Sequence, residues 1–170
     1  QVVGAMGLGN YNPTDLRKAL TGKTATVSPM FTSTLDGFNG SSSVKDFETM
    51  LQLLNLYVYE PRKDTALFRT FVQKGKQQTT FMLANPQTVF IDTLFKTLYG
   101  NNPLAPIAVP KGEYFDKINL DRVMAIFKER FADLSGMHFT FVGSLPKDTT
   151  EQLILKYIEN DILLIKNFGY

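Results

Sequence analysis

The chain has 170 residues and a formal net charge of +2, with 44% hydrophobic and 20% charged residues. So small a charge leaves no electrostatic footprint for nucleic acid or an anionic membrane, and no apolar run reaches the ~20 residues that cross a bilayer. Zero Cys and one His exclude a disulfide scaffold, a thiol nucleophile and a zinc site of Cys/His type. We therefore expect one globular domain over 1–170, poor in catalytic side chains.

The first residues, from Gln1 to Leu8, are mostly apolar, and neither a charged region nor a helix cap precedes them. This pattern indicates the end of a helix cut from something longer, so we expect the chain to be a fragment. The glycine-rich run 4–9 lacks the spacing and the Lys-Ser/Thr ending of phosphate-binding loops. Glycine caps at a helix end are the favoured interpretation.

A short helix is predicted after Asn12, because Asn is a preferred N-cap and Pro13 suits the first helical position. Two β-rich stretches follow, at about 23–30 and 31–40, and their position next to each other predicts antiparallel pairing. Asp36-Gly37 in the second stretch predicts a turn or a bulge.

Three helices are predicted in the middle of the chain. Ser43, with an acid three residues later, resembles a capping box, and the helix that it opens ends before Pro61. A second helix begins near Asp64 and runs to about residue 83, with apolar residues at helical spacing. Asn85-Pro86 repeats the cap signal and opens a third helix, which Gly100 ends.

The last third of the chain adds a loop, two helices and a strand. Three prolines and a glycine predict an irregular surface loop over 101–117, and helices are predicted from about Asn119 and Asp148. Alternation between two glycines makes 137–142 the clearest strand. The element order predicts an α+β fold with a mostly antiparallel sheet and helices on one face. Three strands are few for so many helices, so we expect strands to be missing upstream.

Two candidate sites rest on single residue types. The serines at 41–43 lie near no His in sequence, so a turn leading into a helix cap is favoured over a nucleophile. His138 could act as a general base, but a metal site needs two or more further ligands. A structural or half-exposed strand His is the favoured interpretation.

The charged residues form no compact cluster. Asp46 and Glu48 lie two positions apart and so point in different directions on a helix, and the same holds for Glu159 and Asp161. The span between Asp64 and Asp92 holds basic residues and no acid, which could suit an anionic partner. A solvated helix face is favoured, because three cations without interleaved aromatics do not make a binding patch; the three are Arg69, Lys74 and Lys76.

Four stretches together resemble peptidase family M16, the pitrilysin/insulinase-type zinc peptidases. The likeness covers nearly the whole chain and is greatest to the non-catalytic, C-terminal half of large bacterial members. It is carried by Leu8 to Pro29, Gly40 to Met50, Tyr99 to Pro103, and Phe131 to Leu145.

The family holds zinc with H-x-x-E-H on a helix, which supplies two ligands and a general base, and with a later Glu. Along the resemblance, the first His falls near Gln1, the Glu at Gly4 and the second His at Ala5. The later Glu falls within Val72–Gln78, in the acid-free span. The resemblance therefore implies no catalytic residue, no metal ligand and no cofactor in this chain, and it leaves the substrate-binding residues unassigned.

The resemblance also implies a role. Two halves of such a peptidase close around a chamber; the other half carries zinc, and this half completes the wall and helps to hold the peptide. The expected partners are that catalytic half and a peptide substrate, with no nucleic acid and no membrane span. An assisting Arg and Tyr would lie beyond Tyr170, while 161–170 departs from the family pattern and has no assigned role. Bacterial relatives favour export to the periplasm.

Two other functions stay open at this point. M16-like domains also persist as non-enzymatic scaffold subunits, and H-x-x-E-H upstream would distinguish a peptidase from a scaffold. An unrelated protein-binding module would lack an open sheet with helices along one face. Truncation should also expose apolar surface, so we expect a dimer through that surface.

Overall fold

A computed structural model of the chain describes residues 2–32, 34–100, 102, 104–134 and 136–158. The two strands are β1 (Ala25–Phe31) and β2 (Asp36–Ser42). The helices are α1 (Pro13–Ala19), α2 (Phe47–Tyr59), α3 (Thr65–Leu83), α4 (Pro86–Tyr99), α5 (Gly112–Asp116), α6 (Leu120–Phe131) and α7 (Lys147–Ile158). Short 3-10 helices at Val3–Met6 and Val44–Asp46 come before α1 and α2.

Two compact units divide the chain. One comprises the described residues of 1–63 and 121–170, with the two strands, α1, α2 and α7 and all but the first residue of α6. The other comprises the described residues of 64–120, where α3 packs against both α4 and α5. The expectation of a single domain over 1–170 stays a prediction.

The sheet of the described residues is an antiparallel hairpin in which β1 pairs with β2. Ala25 lies opposite Ser42 and Phe31 opposite Asp36. The turn is closed by Thr32, whose Oγ1 accepts a hydrogen bond of 2.8 Å from the Leu35 N–H. The predicted antiparallel pairing is confirmed. The predicted turn or bulge at Asp36-Gly37 is wrong, because Thr32 closes the hairpin earlier and Asp36 already begins β2.

The predicted strand at 137–142 is not a strand in the structure. Met137, Phe139 and Phe141 are half-buried while the residues between them are exposed, which is the alternation of a strand with one covered face. The segment nevertheless pairs with no described strand. A strand is defined by its hydrogen-bonded neighbour as well as by its side-chain pattern, and the described residues supply no such neighbour.

Four helix starts are set by side chains that accept hydrogen bonds from the first free N–H groups. Four predicted caps are confirmed by such bonds, and the bonds satisfy donors that the helix itself cannot pair. Gly100 ends α4 with φ +55°, as its position predicted. The capping residues are Asn12 for α1, Ser43 for the short helix before α2, Asp64 for α3 and Asn85 for α4.

Two boundaries near the C-terminal half differ from expectation. The stretch 101–117 was predicted to be irregular throughout, but its end forms α5 over Gly112–Asp116. The last helix begins at Lys147, one residue before the predicted cap Asp148. Proline and glycine indicate where a helix cannot continue. They give less information about where a short helix begins.

An aromatic cluster joins the hairpin to α2 and α6. The Phe38 ring on β2 lies 4.5 Å from that of Phe131 and 5.9 Å from that of Tyr57, between ring centroids. Phe131 and Leu51 are fully buried. The other face of the hairpin is exposed and mostly polar, with Ser28, Asn39 and Ser41 among its residues. The predicted α+β class with helices on one face of an antiparallel sheet is confirmed.

Candidate functional site

The two described positions where the family resemblance places zinc chemistry lie in the 3-10 helix Val3–Met6. Gly4 and Ala5 carry no ligating atoms, and Gln1 lies outside the described residues. A Cβ added at Gly4 would lie only 3.2 Å from the hydroxyl oxygen of Tyr57 on α2. Tyr57 is buried, and burial raises the pKa of its hydroxyl. Space beside Gly4 is therefore occupied by a neutral phenol, where the family has a general base.

The stretch that corresponds to the third ligand, Val72–Gln78, lies on α3 in the second unit. It contains no acid, and its only glycine packs against α5. A Cβ at Gly75 would collide with the Phe115 ring, so a longer side chain at this position has no room. Lys76 in the same stretch forms an ion pair with Asp116.

These residues do not fit a catalytic zinc ion. Zinc sites of this class need three protein ligands from His and acidic side chains, with a fourth position left open for water. Within the described ranges, no group of three or more His, Cys, Asp or Glu residues could hold a metal ion. We therefore assign these residues no step that involves a bound metal ion.

Asp46 lies just before α2 and accepts two hydrogen bonds. Its Oδ2 accepts hydrogen bonds from the Thr24 N–H (2.9 Å) and the Ser43 hydroxyl (2.7 Å). The Thr24 bond, followed by the Ser43 bond, holds the pKa of Asp46 below its ordinary value. This carboxylate ties the residue before β1 to the start of α2, which is a structural task.

Glu48, two positions further on, points to a different partner, as the sequence predicted. Its Oε1 accepts hydrogen bonds from Lys156 Nζ (2.9 Å) and the Tyr157 hydroxyl (2.7 Å) on α7. The Lys156 bond is the main reason that the pKa of Glu48 is lowered and that of Lys156 is raised. The group joins α7 to α2, and neither acid is placed beside the other for acid–base catalysis.

The remaining candidates are distributed over the surface. Ser43 caps a helix as predicted, while Ser41 and Ser42 belong to β2 rather than to a turn. Arg69 and Lys74 are exposed on α3, as a solvated face requires. Glu159 and Asp161 lie outside the described residues.

His138 lies on the exposed side of 137–142 and contributes to the lining of a cavity. The cavity has a volume of about 400 Å³ and lies between β2 and residues 136–141. Its apolar lining includes Met50 and Leu54 of α2, Phe38 and Phe139, and also Val27 and Met30 of β1. Sequence reasoning missed this cavity, because Phe38 and Phe139 are about a hundred residues apart. The alternation of 137–142 was the available signal.

The sequence matches no protein-family model and no curated protein. Two solved structures do share its fold. The periplasmic protease PqqL from Escherichia coli superposes with a TM-score of 0.70 at 15% identity, covering 99% of this chain. A mutant of the ferredoxin protease FusC, in complex with Arabidopsis ferredoxin, superposes with a TM-score of 0.70 at 12% identity, covering 100% of this chain.

The match extends over 19% of the PqqL chain and 18% of the FusC chain, so this chain spans about a fifth of their length. The superpositions show a shared fold, and at 12–15% identity they show the fold alone. No helix in the described part of the chain is long and apolar enough to cross a membrane.

Proposed function

We propose that the chain is a non-catalytic domain of a longer zinc metallopeptidase of the M16 kind. In that protein it forms part of the wall of a chamber that encloses the peptide substrate. The observation that carries this proposal is the fold, which matches one segment in each of two proteases over 99% and 100% of this chain. The description of PqqL as periplasmic also supports an exported location.

The division of labour in the proposal follows from the chemistry at Gly4 and Ala5. Zinc and its general base belong to another half of the protein, because neither residue has a side chain that binds a metal or takes a proton. Asp46 and Glu48 are committed to contacts with Thr24 and Lys156. The part proposed for this chain is to enclose and hold the peptide.

The first experiment concerns the native protein. Antibodies against this chain should detect a polypeptide several times longer than 170 residues in the source cells, with zinc bound and with peptidase activity. A native protein of 170 residues would overturn the proposal. A longer protein without zinc or activity would favour a scaffold subunit instead.

The second experiment measures zinc in the 170-residue chain by metal analysis after dialysis against zinc. We expect much less than one zinc per chain. The double variant Gly4→Glu/Ala5→His, which restores the general base and one His ligand, should also bind weakly, because the first His position is still Gln1 and the later Glu ligand is lacking. Stoichiometric zinc in the unmodified chain would refute the assignment as the non-catalytic half.

Self-association of the 170-residue chain is a further part of the proposal. Helix α4 exposes several large apolar side chains, including Phe90 (65% exposed) and Leu98 (67% exposed). Exposed apolar patches of this kind promote association. Light scattering should detect a dimer that Phe90→Glu weakens, whereas a monodisperse monomer of the unmodified chain would contradict this part.

A further inference from the structure

The two edges of the hairpin differ in the hydrogen bonds that they offer. Antiparallel pairs alternate between hydrogen-bonded and non-hydrogen-bonded. The flanking bonds from Thr32 N–H to the Leu35 carbonyl (2.8 Å) and from Ser43 N–H to the Thr24 carbonyl (2.9 Å) set the phase of this alternation. The even-numbered residues of β2 therefore belong to non-bonded pairs, and their N–H and C=O groups point away from β1.

The outer edge of β1 is protected against a further strand. Pro29 lies opposite Phe38, so it occupies one of the positions whose backbone groups point away from β2. Proline has no N–H to donate, and placing it on an edge is a known way to block strand addition.

The outer edge of β2 has no such protection. Its outward residues all carry an N–H, and the backbone groups of these residues bond to no other described residue. A row of free donors and acceptors on an edge strand is a template for another strand. The outward residues are Asp36, Phe38, Gly40 and Ser42.

A second wall faces this open edge. Residues 138–142 make no backbone hydrogen bond to any described residue, and the one bond nearby runs from Met137 N–H to the Leu134 carbonyl (3.0 Å). Phe139 and Phe141 alternate toward the covered side, and the Phe141 ring packs against Phe47 of α2 at 5.5 Å. The wall therefore has the side-chain pattern of a strand without its hydrogen bonds.

The space between the walls is one trough, defined as the cavities that lie between β2 and residues 136–145. Cavities of about 400 and 220 Å³ adjoin each other along its length, because they share lining residues. A third cavity of about 430 Å³, lined mainly by the hairpin turn and Arg130, adjoins the trough at Asp36 and Met137. Met137 faces the start of β2, and residues 140–145 face its end, so the two walls run in the same direction. Met50 and Leu54 of α2 form an apolar floor.

We propose that this trough binds one extended polypeptide strand from outside residues 1–170, between the open edge of β2 and residues 137–142. The strand bonds through its backbone to Asp36, Phe38, Gly40 and Ser42. It lies antiparallel to both walls, which is the commoner pairing. Its side chains alternate, with apolar residues on the floor of Met50 and Leu54 and polar residues on the solvent side. This inference does not depend on the proposed peptidase role.

The chemistry of the walls selects this occupant. Backbone donors and acceptors on β2 need a partner with its own free N–H and C=O groups at strand spacing, which a small molecule does not supply. A second copy of the hairpin would present either its Pro29 edge or the β2 edge that faces its own trough. An added strand would satisfy both walls at once, so unpaired backbone groups become paired ladder bonds.

The test is a selection from a displayed library of random decapeptides against the 170-residue chain. The recovered peptides should have apolar residues at every second position. Phe139→Glu should weaken their binding about tenfold or more, because it places a charge in the trough. Leu104→Glu is the control: it adds the same charge at an apolar side chain that is 88% exposed and lines none of these cavities, and binding should be unchanged.

A second measurement does not depend on how well a variant folds. Synthetic copies of a recovered peptide with N-methyl groups on alternate amides should lose binding to the unmodified chain, because they lose strand donors. Recovery of no binder, binders without alternation, or binders indifferent to Phe139→Glu and to N-methylation would overturn the proposal.

Two further measurements test for other occupants of the trough. If residues 159–170 filled the trough, Ile162→Asp/Leu164→Asp in the full chain would tighten peptide binding about tenfold or more. If a second copy filled it, light scattering would detect a dimer that Phe139→Glu dissociates and Phe90→Glu does not. Either result would overturn the assignment to an outside strand.

Discussion

Strand β2 has one filled side and one open side. On the face that packs against the helices, its Phe38 side chain contacts Phe131, with 4.5 Å between ring centroids. In the plane of the sheet, its outer backbone groups face a trough instead of a strand. The difference indicates that packing against α2 and α6 holds the hairpin in place, while its edge remains available for binding.

The largest effect is expected on the filled side. Phe131→Ala should lower the free energy of unfolding by about 3–5 kcal/mol, because it leaves a cavity among buried rings. Urea unfolding followed by circular dichroism measures this change. Phe90→Ala on the exposed face of α4 is the control and should stay within about 0.5 kcal/mol. Equal losses of unfolding free energy in Phe131→Ala and Phe90→Ala would contradict this prediction, since the aromatic cluster would then not be the core.

Asp46→Asn should produce the next largest effect, and one that depends on pH. The folded state lowers the pKa of Asp46, chiefly through the Thr24 bond, so its carboxylate stabilises the fold above the ordinary Asp pKa. This contribution is lost as the pH falls through the lowered value. Thermal unfolding from about pH 6 to pH 3 should show a shallower decline of the melting temperature in the variant. Parallel profiles would show that this carboxylate is not stabilising.

Ser43→Ala should cost about 1 kcal/mol, because it removes the side chain that caps the helix before α2. The matched control is Ser28→Ala, at an exposed position of β1, where a change within about 0.5 kcal/mol is expected. Chemical unfolding of both variants measures the difference. A cost for Ser28→Ala equal to that for Ser43→Ala would contradict the capping role.

The smallest effect on stability is expected in the trough. Phe139→Ala should lower the free energy of unfolding by only about 1 kcal/mol or less, since the ring is half-buried and borders a cavity. The same unfolding experiment measures it beside Phe131→Ala. A loss as large as that of Phe131→Ala would show that both sides of β2 are equally packed and would remove the contrast.

Local signals in the sequence were enough to predict most helices. Asn12, Asp64 and Asn85 each form the hydrogen bonds that their positions imply, because a cap depends on residues only two or three positions away. The end of the hairpin turn was harder to predict. Asp36-Gly37 has turn-forming residues, yet the Thr32 hydroxyl closes the turn first.

The trough could not be predicted in the same way. Its two walls, β2 and residues 136–145, are separated by α2 to α6 in the sequence, and their approach depends on how α2 packs. The open edge also depends on register, because a shift of one residue would turn the free N–H groups of β2 toward β1. Pro29 could be seen in the sequence, but its edge position follows only from its pairing with Phe38.

The sequence by itself determined the α+β class, the helix caps and the lack of metal-binding side chains at Gly4 and Ala5. These features depend on composition, periodicity and neighbours a few positions apart. Only the tertiary structure decided that Tyr57 lies beside Gly4, that Asp46 and Glu48 are tied into structural contacts, and that β2 faces a trough. Such features arise where segments that are distant in the sequence come into contact. Local periodicity reports only on neighbours a few positions apart, so it does not predict these contacts.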